Sequence, residues 1–281
     1  MAVIPHAQFS LFAGASGAGK TTLLLQSWLE HELHPGHFPI SYDPRIKSAG
    51  IIIADRTKSE AEARIATLGI KNLEVYGIVD DHALATDCIR RPDLLTKHVL
   101  PKFKEKHDLY FIDPIGLFME GSLIDYKSVA SSLIGLNRIA SRLDATLLGV
   151  HHTTKPRSDV KFSRPQDRVS GSGAFPGYSS TQIMLIEGLE TQATFDSLII
   201  VPHMTPKEEY RLVRREDGYF ALLEEQARGL LTTLFESFNK FMKLGEFKSL
   251  AAKNGLTDSQ INQLLEESKD YKVEDGFVLQ A

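Results

Sequence analysis

The chain has 281 residues, is 42% hydrophobic and 24% charged, and carries a formal net charge of −4. This ordinary composition excludes a disordered chain, a collagen-like repeat and a disulfide scaffold, and the single cysteine, Cys88, excludes an internal disulfide and a cysteine-rich zinc site. Global charge cannot attract nucleic acid, so any such binding must come from local basic loops. The length suits one α/β domain of roughly 200–250 residues plus a small appendage. Apolar runs such as Ile183–Ile186 and Leu198–Val201 fall far short of the roughly 18 residues that span a bilayer. With no basic start and only a short apolar stretch, the N-terminus does not read as a signal peptide, and a cytoplasmic protein is expected.

Phe9–Ala13 reads as a short buried strand, followed by a glycine-rich turn and a helix near residues 20–32 with Leu23, Leu24, Leu25, Trp28 and Leu29 on its apolar face. Pro35, Gly36 and Pro39 break it. Gly50–Asp55 is a second strand, rich in β-branched residues. Ser59–Leu68 is a helix with Gly69 as its C-cap. Leu73–Tyr76 is a third strand, residues 93–107 a helix interrupted by Pro101, and Leu109–Asp113 a fourth strand. Residues 126–143 form an amphipathic helix, and Ala145–Val150 a fifth strand. This alternation predicts a parallel sheet with helices on both faces. Thr181–Ile186, Ser197–Val201, Tyr210–Val213 and Gly218–Leu223 read as consecutive antiparallel strands. Residues 228–281 then read as three helices and a hairpin-like end.

Gly14-Ala15-Ser16-Gly17-Ala18-Gly19-Lys20-Thr21 fits G-x-x-x-x-G-K-[ST] without mismatch. The glycines let backbone N–H groups converge on an anion, and the helix behind them presents its positive end to the same phosphates. Gly14, Ser16, Gly17, Ala18, Gly19, Lys20, Thr21 and Thr22 are the expected nucleotide-binding residues, with ATP and Mg²⁺ as ligands. Lys20 reaches the β- and γ-phosphates, and the Thr21 hydroxyl ligates Mg²⁺. Asp113 closes an apolar strand as a Walker B aspartate does, placing it beside the same metal.

These elements, with Asp55 after Ile51–Ile53 and the His151-His152 pair after the fifth strand, occur in the order found in RecA-like ATPases. Over roughly residues 9–222 the chain most resembles the plasmid RepA-type hexameric replicative helicases and their DnaB-type relatives. The fold implied is α/β: a RecA-like P-loop core over residues 1–223 with an antiparallel extension. The resemblance implies a catalytic carboxylate at Asp55, where the family has glutamate. Aspartate is about 1.5 Å shorter in reach, so either the attacking water sits closer or hydrolysis is slower. The alternative role for Asp55 is to cap the following helix. Arg64 matches a family arginine near the nucleotide. His151 or His152 resembles a γ-phosphate sensor linked to the adjoining loop, the alternatives being capping or a metal site.

Residues 151–173 carry Lys155, Arg157, Lys161, Arg164 and Arg168 against Asp159 and Asp167. In the family this place holds the channel loop that grips single-stranded DNA, so Lys155, Arg157, Lys161 and Arg164 are candidate DNA contacts and Phe162 a candidate base stacker. Arg168 and Lys207 are candidates for a cation reaching into a neighbour's site, with Arg211, Arg214 and Arg215 near Lys207. The segment Glu246–Ser268 followed by Phe277-Val278 resembles a winged-helix module within residues 228–281. Its would-be recognition helix, Thr257–Glu267, carries three acids and no base, which favours packing or partner docking over groove reading. The whole resembles a homohexameric helicase that translocates on single-stranded DNA, docks a replication partner through its C-terminal module and lacks an N-terminal collar. Three other readings stay open: a recombination or KaiC-like regulatory ATPase without unwinding, a weakly hydrolysing ATP switch, and, less well supported, a small-molecule kinase.

Overall fold

In the computed structural model, residues 3–35, 38–81, 92–153, 165–187, 196–203, 205, 206–215, 218–223, 241–253, 258–267 and 271–280 are described. The chain divides into two compact units, one of Met1–Ile186 with Leu198–Glu209, the other of Glu187–Ser197 with Tyr210–Ala281.

The first unit is a large, mostly parallel sheet with helices. Its strands are β2 (Phe9–Gly14), β4 (Ala49–Ile53), β5 (Leu73–Gly77), β6 (Leu109–Asp113), β7 (Thr146–His152), β8 (Thr181–Ile186) and β9 (Asp196–Pro202), in the order β9-β8-β2-β7-β6-β4-β5. A small parallel pair, β1 (Val3–Ile4) with β3 (Ser41–Tyr42), stands apart. Strands β2, β4 and β6 are buried along their whole length, as expected where helices cover both faces of a parallel sheet. Alternation divides the core. Phe111 of β6 meets Trp28 of helix α1 (Lys20–Leu33) edge-on at 6.3 Å. Its neighbours Tyr110 and Ile112 join Val129, Leu133 and Leu136 of the amphipathic helix Tyr126–Leu143.

One expectation is corrected and two are refined. Thr181–Ile186 also has a parallel neighbour: it pairs with β2, with Phe12 opposite Ile183. The helix expected over 93–107 is a short irregular piece, Pro92–Leu94, then a π turn Leu95–Val99 and a 3₁₀ turn Leu100–Lys102. Pro101 has no N–H to continue the α ladder, and the Leu100 amide instead bonds back to Leu95 O. Strand β7 runs on to His152, so both histidines lie within it.

The second unit contains the antiparallel pair β10 (Glu208–Arg214) with β11 (Phe220–Leu222). It also holds β12 (Phe241–Lys243), helices Leu244–Lys253 and Asp258–Glu267, and strands β13 (Tyr271–Glu274) and β14 (Phe277–Gln280). The last three strands form an antiparallel sheet with β14 in the middle. Val213, Phe247, Ala251, Ile261, Leu265 and Val278 make its apolar core. No helix among the described residues is long and apolar enough to cross a membrane.

Candidate nucleotide site

Parallel pairing carries the ends of β2, β4, β6 and β7 to one edge of the sheet, the edge where open α/β folds bind ligands. Gly14 lies opposite His152, and Ile53 opposite Asp113. The turn from β2 into α1 needs glycine twice, at Gly17 (φ 82°) and Gly19 (φ 87°). At Gly14 a Cβ would sit 2.8 Å from Leu185 O and 3.2 Å from Lys20 Cδ, so the turn is also packed from behind.

Lys20 is buried, with Nζ donating to Gly14 O (3.0 Å) and Ala15 O (2.7 Å) and lying 3.4 Å from His152 Nδ1. The Thr21 hydroxyl donates to Asp113 Oδ2 at 2.7 Å. Thr22 Oγ1 accepts from Arg64 of helix α2 (Lys58–Thr67), joining the phosphate loop to the next helix. Burial, helped by the nearby Arg56, holds the Arg64 guanidinium below its ordinary range.

Asp113 is buried, and loss of hydration raises its pKa; the Thr21 hydrogen bond offsets this only in part. A buried carboxylate in this state suits a cation held jointly with Thr21 and phosphate oxygens, so Thr21 and Asp113 fit Mg²⁺. The described residues contain no cluster of three His, Cys, Asp or Glu side chains that would hold a metal without a phosphate. The shift has a measurable consequence. Because the folded-state pKa exceeds the unfolded value, ionised Asp113 costs stability. The cost is absent below about pH 3.8, grows as pH rises toward the folded value and is complete above it. Asp113→Asn keeps an acceptor for Thr21 and removes the charge. At neutral pH it is expected to raise the melting midpoint, by about 2–4 °C for each kcal/mol of relieved cost in a domain of this size, while abolishing Mg²⁺-dependent turnover. An unchanged or lower midpoint would contradict the burial argument.

Asp55 follows β4. The cap of α2 is not Asp55 but Thr57, whose hydroxyl accepts from Glu60 N while the Glu60 side chain returns to Thr57 N. Asp55 is thereby released from local duty, and Glu60 is committed to the cap. The Asp55 carboxylate is instead clasped by its neighbour: Arg56 Nε to Oδ1 at 3.2 Å, Nη2 to Oδ2 at 3.1 Å. The sequence reading missed Arg56 in this role, although the T-x-x-E cap signature at Thr57–Glu60 was there to read.

The two histidines part company, because successive residues of a strand face opposite ways. His151 is buried, with Nε2 donating to Ser170 O at 2.8 Å and its ring stacked on Phe175 at 4.4 Å. Burial lowers its pKa, keeping it neutral. His152 faces Lys20, and burial and the lysine's charge lower its pKa too. Ser170 and Phe175 are distant in sequence, and nothing local pointed to them.

Thr153 N donates to Gly14 O at 3.1 Å, Thr153 bridges Val169, and Ser170 N donates to His152 O at 2.9 Å. The segment between these anchors holds Lys155, Arg157, Lys161, Phe162 and Arg164, which lie outside the described residues. Arg168 sits on the 3₁₀ turn Pro165–Arg168, with a guanidinium depressed by burial. Gly171 (φ 94°) presses so closely on the Leu123 carbonyl, in the connection after β6, that a Cβ there would overlap it. Lys207 lies between β9 and β10 and pairs with Glu209 at 2.9 Å. Arg214 is held by Glu187 (3.0 Å), Asp196 (2.9 Å) and the Phe220 ring (5.4 Å), a structural anchor of the second unit.

A family model described as an AAA domain matches residues 1–158, from β1 through the histidine pair. The chain belongs to this family. No curated protein matches it. The family is one of AAA-type P-loop ATPases, so this AAA-domain protein is an α/β nucleotide-binding ATPase whose matched span contains Lys20, Thr21, Asp55, Asp113 and His152. Family membership also accounts for the Mg²⁺ fit of Thr21 and Asp113.

Proposed function

We propose that this ATPase is a ring-forming motor of the RepA helicase type that translocates on single-stranded DNA in replication. The observation that carries this reading is the join between the phosphate loop and the basic segment: Thr153 hangs on Gly14, and Ser170 on His152. Residues 154–164, with four cations, are therefore bracketed in sequence by segments anchored on the strand ends at the phosphate loop.

The residues divide the work as follows. Bound MgATP supplies a γ-phosphate whose hydrolysis releases the driving energy. Lys20 leaves the Gly14 and Ala15 carbonyls to hold the phosphate tail, and Thr21 and Asp113 hold the cation. Asp55 takes a proton from the attacking water. His152 loses or regains its Lys20 neighbour, and Thr153 and Ser170 pass that displacement to the basic segment. His151, stacked on Phe175, keeps the strand end rigid. Charge developing on the phosphate calls for a cation from the next subunit, the role we give to Arg168 or to Lys207, whose exposure suits reach across a ring, as a homohexamer requires.

In the second unit, helices Leu244–Lys253 and Asp258–Glu267 with the three-stranded sheet support a winged-helix-like module. Its second helix exposes Asp258, Asn262 and Glu266, a face for a partner protein rather than a DNA groove. The proposed N-cap Thr257 lies outside the described residues. The lone cysteine fits a cytoplasmic setting.

Lys155→Ala, Arg157→Ala and Lys161→Ala together are expected to abolish DNA-stimulated ATPase and to shrink the salt slope of DNA binding by about 0.7 per lost phosphate contact. Wild-type stimulation and affinity in that variant would end the loop assignment. A strictly monomeric chain by light scattering, with a non-hydrolysable ATP analogue present, would end the ring. One observation favours a second reading, a slow ATP switch: the Arg56 clasp on Asp55 competes with the attacking water for the carboxylate.

A further inference from the structure

Helix Tyr126–Leu143 buries one face in the core through Val129, Leu133, Leu136 and Ala140, and turns another outward. That outward face carries Lys127, Ile134, Arg138 and Arg142, all exposed. It lines a cleft of about 1150 Å³ with Pro92, Thr96 and Gly135. A smaller cleft of about 450 Å³ continues from it past Asn137 and Ser141 to Tyr178. The two share Ile134, Arg138 and Arg142.

The charge on this face is unusual for a chain of net −4. Among the described residues no carboxylate lies within ion-pair distance of Lys127, Arg138 or Arg142. Of the acids nearby, Asp93 is paired with Lys97 at 2.9 Å, and Asp125 is taken by the Ser128 hydroxyl and amide, though it also feels Lys127. Glu120 is the remaining acid of the cleft. Arg138 and Arg142 stand one helical turn apart, about 6 Å along the axis. That is the repeat of phosphates along an extended single strand. Lys127 lies about 16 Å back along the same helix. Between the cations are Ile134 and the gap over Gly135, and Tyr126 lines the larger cleft and Tyr178 the smaller one. Cations at phosphate spacing beside apolar and aromatic surface are what a single strand needs.

We infer that the outer face of helix Tyr126–Leu143 is a second track for single-stranded nucleic acid, separate from the basic segment after β7. Its partner is a phosphodiester backbone, held by Arg138, Arg142 and Lys127, with bases laid against Ile134 and the tyrosines. The inference rests on the nucleic-acid reading of the preceding section, and the test separates the two.

The experiment measures anisotropy of labelled oligothymidylates of about 15 and about 45 nucleotides, the longer able to occupy two sites at once. The variant is Arg138→Glu with Arg142→Glu, both surface positions, so the fold and the DNA-free ATPase rate are expected to stay as they were. Affinity for the long oligonucleotide should fall at least about tenfold and its salt slope by about 1.4, two phosphate contacts, with the short one unaffected. Conservative Arg138→Lys with Arg142→Lys should retain most of the affinity. Unchanged binding of the long oligonucleotide would overturn the inference. So would a change in molecular mass by light scattering, which would make the face a joint between copies. If the alanine variant of Lys155, Arg157 and Lys161 binds both lengths normally while the glutamate variant does not, the basic segment is at fault and the helix face stands.

Discussion

Lys20→Ala is expected to lower ATP turnover by at least about 10²–10³-fold, the loss seen when one preorganised charge-stabilising donor is removed. The geometry says why nothing else replaces it. The ammonium is buried, and two loop carbonyls, Gly14 O and Ala15 O, hold it over the cradle. Of the other cations near the site, Arg56 holds Asp55 and Arg64 holds Thr22. Alanine also leaves the two carbonyls without their donor, so Lys20→Met, which keeps the stem, serves as the companion variant. Both should lose turnover together, with circular dichroism unchanged in at least the methionine form. Full-speed hydrolysis by a folded Lys20→Met protein would remove the phosphate loop from the mechanism.

The second large effect concerns Asp55. Asp55→Asn preserves shape and can still accept a hydrogen bond from Arg56, but it cannot take a proton from water. A loss of about 10²–10⁴-fold in kcat is expected, with KM for ATP little changed. Asp55→Glu extends the carboxylate by about 1.5 Å and is expected to match or exceed the parent rate. If the asparagine variant hydrolyses ATP normally, the base lies elsewhere. If glutamate raises kcat strongly, the parent's short side chain and its Arg56 clasp keep the ATPase slow, which favours the switch reading over the motor.

The phosphate loop was legible in the sequence because each position demands a residue type: positive-φ glycines, a lysine, a hydroxyl. Strand ends were legible because fully buried strands are unbroken apolar runs, so Asp113 stood out at the close of Leu109–Ile112. Pairing direction was not. Thr181–Ile186 reads the same whether its neighbour runs with it or against it, and β2, its partner, lies far upstream. The irregular turns at Leu95–Lys102 escaped because Pro101 announces a break without saying how the backbone absorbs it. The histidines posed a different problem. Sequence set them side by side, and only the pleat, Phe175 and Ser170 separate a packed His151 from a His152 that faces the lysine. For Asp55 the sequence leaves a cap as the alternative to catalysis, although Thr57 and Glu60 already spell the cap.

The close approach of Gly171 to the Leu123 carbonyl leaves no slack between the connections that follow β6 and β7. One begins at Asp113, the other rejoins the strand that faces Lys20. The two connections meet backbone to backbone at this point, with room for hydrogen alone on Gly171. Any bulkier side chain at position 171 would drive the two connections apart at this tight crossing.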